Sequence, residues 1–321
     1  MRAKSYDYYN TVEGKMKLMK MKRTVRYLKK SSGLYLLLLP SVIALILFNF
    51  IPMYGVLMAF QDYHPVKGIW GSDWVGLDNF IQYFQSYQFG RTLWNTLTIS
   101  MLGIFFSFPL PILLALMCNQ MRTKIYKKFF QVATYLPHFI STVVMGGMII
   151  LFLSPSQGVI ARLLGYLGVA FPNVMGNPQA FPWIYVLTEL WQHLGWDSIL
   201  YIAALSSVDP SYYEAAALDG ASKFQMIRYI DIPSILPTVY IQLILRTGAI
   251  LSVGFEKILL LQNNMNLAGS EVISTYVYKI GIVGGQYGLS SAVGLFNTVV
   301  GMIMLIIANK IVAKMQGTSL F

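Results

Sequence analysis

The chain has 321 residues, 56% of them hydrophobic and only 12% charged, about half the charged share of a soluble domain. That balance excludes an ordinary soluble enzyme. The apolar runs of about 20 residues exclude a barrel, whose strands are about 10 residues long and alternate. The net charge of +11 does not call for nucleic acid, because Lys and Arg collect on the cytoplasmic segments of helical membrane proteins.

The N-terminal segment, 1–33, holds ten Lys and Arg residues. Apolar runs at 34–60, 92–118, 136–153, 183–206, 237–261 and 287–310 follow. They predict an all-α polytopic protein with six transmembrane helices in a membrane domain over 34–313, and a tail over 314–321. The first run is too long for a secretory signal and no small-residue cleavage pattern follows it, so it reads as a retained helix. The third run is the shortest and extends back toward Phe129; the fifth carries Arg246 and Glu256. The loop Asp62–Phe84 is rich in turn residues and rings, and Trp70, Trp74, Tyr83 and Phe84 fit an interfacial belt. The next outer loop holds a short amphipathic stretch near Val159–Leu167. Of the Lys and Arg residues outside the runs or at their ends, 18 lie on the side of the termini and the 207–236 loop and 4 on the other. Both termini and that loop are therefore expected in the cytoplasm. The single cysteine, Cys118, excludes an intrachain disulfide and a thiolate metal site.

The loop 207–236 interrupts the apolar text with EAAALDGASKFQMIRYIDIPSILP. Asp209-Pro210 reads as a helix cap with proline at the first position. A helix over Ser211–Leu218 should follow, bend at Gly220, and give way to a second helix over Ser222–Ile230. Pro233 and Pro237 should close the segment before the fifth run. Ala215, Ala216 and Ala217 make the first helix thin enough to lie in a groove, with Glu214 and Asp219 as charges at its ends. An acid near a helix C-terminus opposes the macrodipole, so Asp219 calls for a partner in Lys223, Arg228 or another chain. By themselves these residues equally suit a solvated surface loop built of good helix formers.

Glu214-Ala215-Ala216, then Asp219-Gly220-Ala221, then Ile230 and Ile232-Pro233, with nine residues between Gly220 and Ile230, resemble the EAA loop of permease subunits in binding-protein-dependent ABC importers. The sequence departs from that pattern only in Ile232, where the family has leucine. Gly76-Leu77-Asp78-Asn79-Phe80, Asn95-Thr96 and YIAALSSVDPSYYEAAALDGA are similar to carbohydrate-uptake permeases. The basic N-terminus and LSVGFEKILLLQN, Leu251 to Asn263, resemble the branch that imports oligosaccharides released from polysaccharides. The resemblance implies a type I importer fold in the bacterial cytoplasmic membrane, with Glu214, Ala215, Ala216, Asp219, Gly220, Ile230 and Pro233 docking a cytoplasmic ATP-binding subunit. It also implies a second homologous permease and an extracytoplasmic solute-binding protein, which is a lipoprotein or soluble, as partners.

Ionisable groups are costly inside a membrane and are functional candidates. The fourth run contains Glu189, Gln192, His193, Asp197 and Ser198, and the fifth Arg246, Glu256 and Lys257. Asp197 lies about 15 Å and Arg246 about 14 Å from the cytoplasmic end of its run, taking 1.5 Å per residue. The two are expected to pair near mid-membrane, either as part of a pathway or as polar glue between helices. Trp191, Gln192 and Glu256 supply a ring, an amide and a carboxylate suited to a sugar path, although adjacent helical residues point about 100° apart. His64 and His138 have no partners at metal-ligand spacing. The only Gly-Lys pair, Gly14-Lys15, is followed by Met16, so no phosphate-binding loop exists, and any ATP is expected on a partner. No cofactor, metal or catalytic residue is expected. Two other classes fit the residues: an ion-coupled secondary transporter using Asp197, Glu256 or His193, and a membrane scaffold or sensor that docks a cytoplasmic protein at the loop.

Overall fold

A computed structural model describes residues 31–121 and 123–316; most of the basic N-terminal segment, Arg122 and the tail beyond 316 lie outside the described residues. The chain divides into two compact units, Met1–Leu57 and Met58–Phe321. Three helices are long and apolar enough to cross a membrane among the described residues: Gly33–Phe60, Tyr87–Asn119 and Tyr287–Lys314. A fourth span arises if Lys124–Phe139 and Thr142–Phe152, bent by 97°, count as one.

In the first unit α1, Ser32–Leu45, carries Pro40 inside it and runs into a π turn, Ile46–Phe50. A proline cannot donate to the preceding turn, yet α1 continues past Pro40 to Leu45. Leu37 and Phe48 are each 77% exposed, as suits a helix whose solvent is lipid.

The second unit opens with a two-stranded hairpin, β1 Gln61–Asp62 against β2 Asp73–Trp74. Phe60 stacks on Trp74 at 5.7 Å. The short helix α2, Asp78–Gln85, then brings in Tyr83. Of the four rings expected in a belt, Trp70 and Trp74 are exposed, but Tyr83 is 1% exposed and packs on Tyr276, Phe89 and Phe296. It is a core residue, because the helix turns its face inward.

The second span is α3, Tyr87–Leu102, a π turn over Gly103–Ser107, and α4, Pro109–Asn119. Pro109 lacks the amide that would close an ordinary turn, and the π turn accommodates it. The third run does not fold as a straight helix over 136–153. α5, Lys124–Tyr135, tightens into a 3₁₀ turn at Leu136–Phe139, breaks at Ile140, and restarts as α6, Thr142–Phe152, capped by the Ser141 hydroxyl. Pro137 forces the break, and the Ser141 side chain sets the new start. α7, Val159–Tyr166, is the short helix of the outer loop.

The fourth run is one helix, α8, Phe181–Ser206, about 39 Å long at 1.5 Å per residue. Its Gly195 passes so close to α5 that a Cβ there would lie 2.3 Å from the Thr134 carbonyl oxygen. Backbone meets backbone, so neither side can yield. Gly195→Leu is expected to prevent recovery of folded protein, and Gly195→Ala to lower its melting temperature in detergent by several degrees, the size of a 1–3 kcal/mol overpacking penalty.

The fifth run also breaks. α11, Ile232–Gly248, ends at Ala249; residues 249–254 are irregular; α12, Phe255–Leu261, restarts the helix. The freed carbonyls find side chains: Ser100 donates to Ile250 O, and Ser274 to Val253 O at 3.3 Å. Pro233 and Pro237 do not close the preceding loop as expected. A π turn at Ile227–Asp231 absorbs the first, the Ser234 hydroxyl bonds Ile230 O at 2.7 Å, and α11 runs through both prolines. After α13, Ile273–Tyr278, and a π turn at Lys279–Val283, the last span is α14, Tyr287–Gln316. Arg91 and Lys279 both pair with Glu271, fixing the stretch before α13 to the start of α3. Three apolar clusters hold the bundle, centred on Ile99 and Tyr185, on Tyr276 and Leu289, and on Leu116 and Leu205.

Candidate functional site

Two features carry polar side chains for which a membrane bundle has no routine need. The first is inside the bundle. On α8, Glu189, His193 and Asp197 recur every fourth residue and share one face. Each meets a partner delivered by a broken span. The break after Pro137 places His138, whose Nδ1 lies 2.9 Å from His193 Nδ1 and whose ring stacks on Trp196 at 4.2 Å. One of the two facing nitrogens must donate and the other accept, so the pair holds a single proton between them. The Ile140 carbonyl, left free by the same break, accepts from Gln192 Nε2 at 3.0 Å. The break in the fifth run presents Lys257, 4% exposed, whose ammonium donates to Glu189 Oε2 at 2.9 Å and Gln192 Oε1 at 3.2 Å. His193 Nε2 reaches the other Glu189 oxygen at 3.1 Å. One turn further along α8, Arg246 Nη2 donates to Asp197 Oδ2 at 2.5 Å. The helix carrying Arg246 starts at Ile232 rather than at Pro237, so the pair lies deeper along α11 than the sequence arithmetic gave.

Glu189 borders three cavities. One of about 320 Å³ is lined by Ser100, Ser107, Tyr185 and Arg246 among others. One of about 270 Å³ is lined by Ser107, His193, Asp197 and Arg246, and one of about 340 Å³ by Gln192, Glu256 and Lys257. The Ser107 hydroxyl is buried and has no hydrogen-bond partner among the described residues. The structure brings Gln192 and Glu256 to one cavity but not Trp191, which is 48% exposed and lines none of the three. Adjacency on a helix separates them: Gln192 is 3% exposed and faces the core, so Trp191 faces away. Lys257, noted only as an ionisable group of the fifth run, belongs to the site, as do Ser107 and Tyr185, which were not singled out. The visible signals were an ionisable group in an apolar run and a serine two residues before a proline.

The second feature is the loop. α9, Pro210–Leu218, is capped by Asp209, whose Oδ1 accepts the Ser211 amide at 2.9 Å. That amide holds the Asp209 carboxyl below the usual carboxylate range. Gly220 has φ +74° and closes the helix: its amide donates to Ala217 O at 3.1 Å, and that of Ala221 to Ala216 O at 2.9 Å. This is a left-handed cap that other residues adopt only with strain. The second helix is shorter than expected, α10 Lys223–Met226 with a Ser222–Gln225 capping box, and the π turn at Ile227–Asp231 takes the rest. Glu214, Ala215 and Asp219 are exposed, Ala216 and Ile230 half-buried, Pro233 exposed, and Leu218 is 91% exposed. Asp219 makes no ion pair with Lys223 or Arg228 among the described residues, so those two do not supply its expected compensation.

The sequence compares closely with known proteins over nearly its full length. Residues 107–316 match the family described as binding-protein-dependent transport system inner membrane component. Protein LplB of Bacillus subtilis is 40% identical over 294 residues, 92% of each chain. The polygalacturonan/rhamnogalacturonan transport system permease protein YteP of the same organism is 40% identical over 295 residues, again 92% of each. A crystal structure of a bacterial ABC transporter involved in the import of the acidic polysaccharide alginate contains a chain that superposes with a TM-score of 0.84 at 41% identity, covering 92% of this chain and 99% of that one. Family match, relatives and fold agree: this chain belongs to the inner membrane components of binding-protein-dependent transport systems.

Proposed function

We propose that the chain is the membrane-spanning permease subunit of an ABC importer that carries an oligosaccharide, derived from a polysaccharide, across the bacterial cytoplasmic membrane. It binds no nucleotide; a separate cytoplasmic ATP-binding subunit docks on α9. A second homologous permease completes the pathway, and an extracytoplasmic solute-binding protein delivers cargo to the outer loops. Both termini face the cytoplasm. The relatives' polysaccharide transport roles support the sugar class. The single observation that carries the coupling assignment is the exposed α9: a rigid, double-capped helix outside the apolar runs, with Leu218 91% exposed. Tyr212 and Phe224 of the same loop are 63% and 71% exposed, and several large apolar side chains left exposed on one segment outside the apolar runs fit an interface.

The substrate path runs through the cavities around Glu189. Gln192, Glu256 and Ser107 offer an amide, a carboxylate and a hydroxyl, the groups that sugar hydroxyls exchange for water. Ser107→Cys, made with Cys118→Ser, tests both assignments in proteoliposomes fed with rhamnogalacturonan and galacturonan oligosaccharides. Uptake should stop with vanadate, persist with an uncoupler, and fall at least tenfold after a small thiol reagent reaches position 107. Uptake that survives vanadate and collapses with the uncoupler would favour an ion-coupled carrier instead.

A further inference from the structure

α9 is nearly free of the bundle. Tyr213 and Ala216 are its only side chains that are not exposed. A helix that carries force needs a rigid joint, and one polar cluster supplies it. Asp231, the last residue of the π turn that leads into α11, is 0% exposed. Its carboxylate accepts from three side chains on two other elements. Tyr213 O–H of α9 donates to Oδ1 at 2.6 Å, Asn119 Nδ2 at the end of α4 donates to the same oxygen at 3.0 Å, and Gln120 Nε2 donates to Oδ2 at 2.8 Å. Asn119 also donates to the Tyr213 oxygen at 3.2 Å, closing a triangle. The apolar cluster of Leu116, Leu205 and Ile235 shares α4 and α11 with it.

We infer that Asp231 is the positioning residue that transmits displacement of α9 to the second and fifth spans together. The inference rests on α9 being the docking helix. A carboxylate closed off from the surface has few substitute partners, so the three donors move with it or leave it unpaired. Hydrogen bonds to a charged acceptor are short and directional, which makes the joint stiff where alanine contacts would slip. The two spans it joins are those that carry Ser107 and Arg246, both bordering the same cavities. Burial first, and donation to Asp231 second, push Tyr213 up to about 12. A raised value favours the neutral phenol in the folded state, so its contribution is complete below about pH 10 and is lost only as pH rises through 12. The Tyr213 hydroxyl therefore stays protonated and able to donate across the physiological range.

The test uses the assembled transporter in proteoliposomes with the Ser107→Cys reporter, ATP plus vanadate as the trigger, and a maleimide as the probe. In the parent, trapping should change the labelling rate at position 107. Tyr213→Phe and Asp231→Asn should retain the ATP-binding subunit and reduce that change about tenfold. The swapped pair Asn119→Asp with Asp231→Asn should restore most of it, since Tyr213 and the amide now at position 231 can donate to the carboxylate at 119 while Gln120 donates to the amide oxygen at 231. An undiminished change in both single variants overturns the inference. So does loss of the ATP-binding subunit from them, which would make the cluster structural. Failure of the docking premise shows separately, as Glu214→Lys leaving the subunit bound.

Discussion

Glu214→Lys is expected to strip the ATP-binding subunit from the purified transporter, and Gly220→Leu to do the same by another route. The first places a positive charge on the exposed face of α9 within one turn of Leu218. Truncating or reversing a charge at a desolvated contact costs about 2–5 kcal/mol, so affinity should fall thirtyfold or more. The second acts on the backbone. Space is open around Gly220, with nothing within 4 Å of an added Cβ. The penalty is therefore purely conformational, about 1–2 kcal/mol for a left-handed residue. The cap unwinds and α9 loses its fixed end. The bundle should remain folded in both variants, since neither residue is buried. Co-purification and the detergent melting curve separate these effects: partner lost, melting unchanged. A variant that keeps its partner removes the docking assignment.

The second large effect concerns Asp197 and Arg246. Reversing either charge puts two like charges in contact beside a cavity within the membrane. Breaking a buried pair costs about 3–5 kcal/mol. Here the side chains are 28% and 35% exposed, so water and the cavity reduce that to about 2 kcal/mol. Asp197→Arg and Arg246→Asp should each lower uptake at least tenfold, and the double reversal should recover part of it. Equal loss in the double variant means the two groups act independently. The Lys257 ammonium is more sensitive, being 4% exposed with Glu189 as its only acidic partner among the described residues.

The apolar runs made the bundle legible because hydropathy reads composition, and composition decides what lies in lipid. It does not read backbone continuity, so the third and fifth runs look like spans while folding as broken helices. Pro137 was a visible cause of the first break; residues 249–254 interrupt the second with only Gly248 and Gly254 to mark it. Pro233 and Pro237 misled in the other direction, because a π turn and the Ser234 hydroxyl absorb what a lone proline would break. The Asp197–Arg246 contact followed from counting residues up two neighbouring helices. The Asp231 joint did not, since Asn119 and Asp231 are 112 residues apart and no period connects them. Spacing within Glu214–Pro233 made the helix α9 and its Gly220 cap legible, but which of its residues hold the bundle and which face outward depended on Tyr213 turning inward.

The most direct measurement of the central claim is a cysteine at the exposed tip of α9. Leu218→Cys, in the assembled transporter with Cys118→Ser, should crosslink to the ATP-binding subunit through a short bifunctional thiol reagent, and should resist an impermeant maleimide added outside intact cells. Rapid labelling from outside, or no crosslink in a complex that retains the ATP-binding subunit, would contradict the account.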